Sequence, residues 1–173
     1  MKRRTIVMVL LPAMVMMIGC ATKSSSPANK NSGDDGLVGP WRAKVQFKSG
    51  AFATVKNLEF MYVFNAGGTM TESSNHDASP PVPPAYGVWR MVRHGEYEAK
   101  YVFFLTKAPK AFEDIAGGGG WSPGGSGVLV EKITLSEDGK TFTSTIRLDV
   151  VDETGKPTES NSEAEVQAAR ISF

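Results

Sequence analysis

The sequence contains one cysteine, Cys20, and two histidines, His76 and His94. A lone thiol excludes an internal disulfide framework. Two histidines in different segments, with no His-x-x-x-His spacing, leave no pattern for a metal or other cofactor, and both read as turn residues. Apart from Lys2-Arg3-Arg4 the basic residues are scattered, so the clustered cations that grip nucleic-acid phosphates are missing. No apolar run reaches the ~20 residues that cross a bilayer as a helix. A Gly-x-Ser-x-Gly elbow is absent, and nothing orients Ser73, Ser74, His76, Asp77 and Ser79 into a nucleophilic triad. The glycines of 117–127 lack the Gly-Lys-Ser/Thr element of a phosphate cradle. What remains is a chain of 173 residues, 41% hydrophobic and 21% charged, with 18 Gly and 10 Pro, enough for one domain with a real core.

Met1-Lys2-Arg3-Arg4 followed by the apolar stretch Ile6–Ile18 has the form of a signal peptide. The stretch ends in Met17-Ile18-Gly19-Cys20, which resembles the lipobox of bacterial lipoproteins. That resemblance implies cleavage before Cys20, acylation of its thiol and new amine, and anchoring in a membrane. With Ala21 after the cysteine rather than Asp, it implies the outer membrane if the cell is Gram-negative. Residues 21–36, ATKSSSPANKNSGDDG, hold no large apolar side chain and read as a flexible tether. The expected organisation is a signal peptide over 1–19, a lipidated cysteine and tether over 20–36, and a folded domain over 37–173.

The domain is dense in period-two patterning, the signature of half-buried strands. Trp41 to Lys48 alternates without error. Leu58 to Phe64 is apolar on both faces, which predicts a more enclosed strand. Ala66-Gly67-Gly68-Thr69 predicts a hairpin turn into Met70–Ser73. His76 to Pro84 carries four prolines and reads as a stiff connector. Further strands are expected over Tyr86–Val92, Tyr97–Thr106, Gly127–Leu135, Thr141–Val151 and Ser162–Phe173, the last with a bulge near Ala168-Ala169. Lys107 to Gly127 is the longest irregular stretch, with a helical turn over Ala111–Ala116. Strand phase is read as placing Glu131 and Asp149 outward, beside Lys132 and Arg147. About eight short strands joined mainly by hairpins predict an all-β, up-and-down antiparallel barrel.

Gly39-Pro40-Trp41 matches the Gly-x-Trp signature at the first strand of lipocalins, and Arg170 stands where their last strand carries an Arg over that Trp. Asn65 to Met70, Gly87-Val88-Trp89 and Leu135 to Phe142 are similar to hairpin phrases of small bacterial lipocalin-like domains. The Thr-Asp-Tyr motif and C-terminal helix of the central family are absent, so the resemblance is to a lipocalin-like, calycin-type barrel. It implies barrel closure through Trp41 and Arg170, and a small hydrophobic or amphiphilic ligand bound inside an envelope-anchored protein. Tyr62, Tyr86, Tyr101 and Trp121 are the candidate ligand contacts: three hydroxyls among apolar walls and an aromatic anchor in the glycine-rich loop. The alternative is a filled barrel that binds or inhibits an envelope protein through its loops. A cyclase or isomerase is a distant third, since it needs polar interior residues. An internal void at the ~300 Å³ scale of ligand pockets separates carrier from filled barrel.

Overall fold

The computed structural model describes residues 36–76, 84–117 and 120–173. Eight strands run in sequence order around a closed antiparallel barrel: β1 (Gly39–Phe47), β2 (Leu58–Phe64), β3 (Thr69–Ser74), β4 (Ala85–Arg93), β5 (Glu96–Lys107), β6 (Ser122–Leu135), β7 (Thr141–Val151) and β8 (Pro157–Arg170). The all-β, up-and-down, eight-stranded architecture expected from the alternation is the one observed. Helical content among the described residues is a 3₁₀ turn at Ala51–Thr54 and one short helix, α1 (Phe112–Ala116). Closure joins β1 to β8, with Trp41 opposite Arg170 and Phe47 opposite Ala164. It leaves no free sheet edge, which is how a sheet of this size avoids pairing with other chains.

Each strand sends alternate side chains inward. Trp41, Ala43, Val45 and Phe47 of β1 are buried, as are Leu58, Phe60, Tyr62 and Phe64 of β2. The chain enters at one end of the barrel, which the short β2–β3, β4–β5 and β6–β7 turns also occupy. Leu37 and Trp41 are fully buried there, and the Trp41 indole donates to the Leu37 carbonyl at 2.8 Å. The Arg170 guanidinium lies 4.2 Å over the Trp41 ring and donates to the carbonyls of Val38 (2.7 Å), Gly139 (2.9 Å) and Gly36. One side chain thus ties the entry segment, the last strand and the β6–β7 turn together. The strand ends joined by the other four connections, 48–57, 75–84, 108–121 and 152–156, lie at the opposite end.

Several local expectations are corrected. β2 is not enclosed on both faces: Met61 and Val63 point outward and are exposed. The end of the glycine-rich stretch is strand rather than loop, since β6 begins at Ser122. Gly127 allows this, because a Cβ there would stand 2.2 Å from the Phe103 ring on β5. β8 begins at Pro157, and its irregularity lies around Asn161, which has φ 56°, while the β1–β8 register passes through Ala168 and Ala169 unbroken. Residues 77–83 of the proline-rich connector lie outside the described residues, as do 1–35, the stretch read as signal peptide, Cys20 and tether.

Candidate functional site

The barrel interior is polar where the alternation of β3 and β6 carries acids inward. On β3, Met70 and Glu72 share the inner face; on β6, Glu131 sits between Leu129 and Ile133. Both glutamates are buried, Glu72 with 7% of its surface exposed and Glu131 with none. The outward placement expected for Glu131 is therefore wrong, because its strand neighbours on the same face are apolar and pack into the core. Asp149, by contrast, is at the surface, beside Arg147.

Glu131 is well partnered. The Tyr101 hydroxyl donates to its Oε2 at 2.9 Å, and the Ser144 hydroxyl donates to its Oε1. Glu72 is not: its Oε1 is buried without a hydrogen bond, and so is the hydroxyl of Tyr62, the residue directly opposite it on β2. Orphaned buried polar atoms are costly, about 1–3 kcal/mol each, and call for an explanation. Burial, helped by the nearby charge of Glu131, raises the Glu72 carboxyl to about 8. Burial also raises Glu131, to about 7, against the pull of the donated hydroxyls led by Ser144 and Tyr101. Tyr62 and Tyr101, fully enclosed beside these acids, are held well above the ordinary phenol range. At neutral pH the pair therefore retains protons that exposed glutamates would have lost.

Above Glu72, toward the end with the long connections, lies a cavity of about 60 Å³. Phe47, Phe60, Phe103, Leu129 and Leu148 wall it, Glu72 and Ser74 line it from β3, and Phe52 and His76 complete its rim. Phe52, carried by the 3₁₀ turn, packs against Phe47 with ring centroids 5.4 Å apart and meets His76 edge-on at 5.8 Å. Pockets that enclose a drug-sized ligand measure ~300 Å³ or more. Among the described residues the barrel leaves no such room, since Trp41, Tyr62, Phe64, Phe142, Met70 and Ile146 fill the rest of its interior. Larger hollows, such as one of about 500 Å³ beside His94, Ser136 and Arg170, lie outside the barrel among its turns.

Of the four candidate ligand contacts, Tyr62 and Tyr101 are inside the barrel, at the acid pair. Tyr86 is not: it faces outward, 61% exposed, because Ala85 takes the inner position on β4. Trp121 precedes β6 at the cavity end, is 38% exposed, and does not line the cavity. Sequence reasoning passed over Glu72 and turned Glu131 outward. The signal for Glu131 was legible, an acid between Leu129 and Ile133 on an alternating strand, whereas Glu72 has Met70 on one side at that spacing and the polar Ser74 on the other. His76 is not a free turn residue but part of the rim.

A filled, closed antiparallel barrel with a buried acid pair under a small aromatic-rimmed opening is the class that fold and site define. No protein-family model matches this chain, and no curated protein or solved structure matches it.

Proposed function

We propose that this protein is an envelope lipoprotein, anchored through Cys20, whose lipocalin-like barrel binds the polar head of a small amphiphilic molecule at its mouth. The observation that carries the reading is the buried, unpartnered oxygen of Glu72 on the wall of an otherwise apolar cavity. A carboxyl placed there for packing alone would be replaced at a gain by Leu or Met, whereas an incoming hydrogen-bonding group removes the cost. The size of the cavity sets the mode. A head group of a few heavy atoms enters, while the body of the ligand lies against Phe52 and His76 at the rim. Acid–base chemistry has its raw material in two carboxyls raised toward neutrality, but nothing near them encloses a substrate, so binding is favoured over turnover.

The test is native mass spectrometry of the chain after incubation with a small-molecule extract of its own envelope. A discrete added mass should be retained by the parent and lost by Glu72→Leu. Equal retention by both would remove the mouth as the binding site.

A second reading rests on a separate observation. Val63, Thr71, Tyr86 and Val102 stand side by side across β2 to β5, and Val63, Tyr86 and Val102 are exposed, with Met61, Val88 and Phe104 exposed nearby. Contiguous apolar surface of this kind marks interaction sites. It favours an envelope protein docking on the barrel wall, rather than on the loops. A photo-crosslinker placed at Tyr86 should then give one discrete adduct in intact cells, and a featureless smear would count against it.

A further inference from the structure

We infer that the head group taken at the barrel mouth is a cation, the ammonium of a small organic amine carrying an aromatic or aliphatic body. The inference rests on the ligand-binding reading of the same cavity and names its chemical class.

What the site lacks is positive charge. Around Glu72 the titratable groups contributed by the packed strands are Tyr62 of β2, Tyr101 of β5 and Glu131 of β6. Past the end of β3, His76 stands at the rim. Among the described residues no lysine or arginine lines the cavity, although the outer face of the barrel pairs its acids freely, as Arg42 does with Glu59 and Arg90 with Glu98. Two carboxyls share the low-dielectric interior with no counterion. An anionic head would oppose any ionisation of the pair, and a neutral hydroxyl would satisfy Glu72 Oε1 but leave the carboxyl in its protonated form. An ammonium does more, since it donates to the orphaned oxygen and supplies the countercharge that lets the buried carboxyl ionise.

The walls point the same way. Phe47, Phe60 and Phe103 surround the cavity and Phe52 covers it. Aromatic faces around a desolvated cation stabilise it through the ring quadrupole and do nothing comparable for a carboxylate. The space of about 60 Å³ admits an ammonium with its first methylenes and excludes a whole aromatic ring. The ring of the ligand is then left at the rim, against Phe52 and His76.

Because Glu72 is held protonated near neutrality, entry of an ammonium expels its proton. Binding should release close to one proton per amine at pH 7, and affinity should rise as the pH is brought toward 8.

The experiment uses the full lipidated chain in nonionic detergent and three probes of matched shape: phenethylammonium, 2-phenylethanol and 3-phenylpropionate. Calorimetry at pH 7 in two buffers of different ionisation enthalpy reads affinity and proton release together. The expected result is binding of phenethylammonium at least about tenfold tighter than 2-phenylethanol, the ratio that 1.4 kcal/mol represents. Proton release should accompany it, and Glu72→Gln should abolish both the preference and the release while keeping the parent's thermal transition. Tighter or equal binding of the alcohol or the carboxylate at the mouth would overturn the cation and leave the ligand-binding reading standing. Failure of all three probes, with Glu72→Leu still retaining the envelope-derived mass, would overturn both. Should Glu72→Gln fail to fold, the buffer comparison on the parent decides alone: phenethylammonium bound without proton release overturns the inference.

Discussion

Glu72 and Glu131 make the stability of this barrel run opposite to that of proteins held together by paired surface carboxylates. A folded-state pKa above the ~4.3 of an unfolded glutamate means that the unfolded chain loses its protons first as pH rises. Their contribution is therefore full below about pH 4 and falls through the window that ends at the folded values of about 7 for Glu131 and about 8 for Glu72. Denaturant unfolding at pH 5 and pH 9 should show the parent less stable at pH 9 by several kcal/mol, each carboxyl contributing about 1.4 kcal/mol per pH unit up to its folded value. Glu72→Gln should flatten that dependence, because an amide has no charge to desolvate. A parent whose stability rises over the same range would mean that the acids are not buried as described. The surface acids act in the other direction. Asp138, bonded by the Ser136 hydroxyl and the Lys140 amide in the β6–β7 turn, and Asp152, bonded by Thr154 and Lys156 in the β7–β8 turn, are held below the ordinary range. Their contributions are lost in acid as pH falls through those lowered values.

At the scale of strands, two inward glycines do different work. A Cβ on Gly87 of β4 would lie 2.2 Å from the Lys100 carbonyl and 2.6 Å from the Tyr101 Cα, both backbone atoms of β5. Neither can yield without breaking the β4–β5 pairing. A Cβ on Gly127 would instead meet the Phe103 ring, a side chain with somewhere to go. Gly87→Ala should therefore prevent cooperative folding or lower stability by about 3 kcal/mol, the upper end of the usual overpacking penalty. Gly127→Ala should cost about 1 kcal/mol while turning Phe103 into the mouth cavity. Thermal melts by circular dichroism check the first effect. The second is read from the aromatic NMR shifts of Phe103 and from weakened ligand binding; equal penalties at both positions would contradict the packing described.

For the whole molecule, closure of the sheet depends on Arg170. It contributes donors to three carbonyls on two other segments and a cation over Trp41. Arg170→Ala should destabilise the barrel by about 3 kcal/mol, the sum expected for a few charge-assisted bonds and one stacked cation. Arg170→Lys should recover only part, because an ammonium cannot span the same acceptors while lying flat on the indole. Guanidinium unfolding monitored by tryptophan fluorescence provides the comparison. Cys20→Ser should move the protein from the membrane to the soluble fraction on cell fractionation; unchanged membrane association would reject the lipid anchor.

The alternation of Trp41 to Lys48, the Asp138-Gly139 turn and the spacing of hairpins determined by themselves that this chain is an eight-stranded meander. Those signals are local, since period-two burial and turn conformations depend on residues within a few positions of one another. The same alternation already carried Glu131 inward, between Leu129 and Ile133, although a strand phase read beside Lys132 and Arg147 turned it outward. Tertiary structure alone decided that β2 exposes Met61 and Val63, that Gly125 to Gly127 are paired strand rather than loop, and that the interior closes down to about 60 Å³. It also brought Tyr62 and Glu72, ten positions apart, and Tyr101 and Glu131, thirty apart, into one buried cluster. Each depends on which strands become neighbours and how far the barrel shears as it closes. No window of sequence contains those quantities, because they are set by the simultaneous packing of all eight strands.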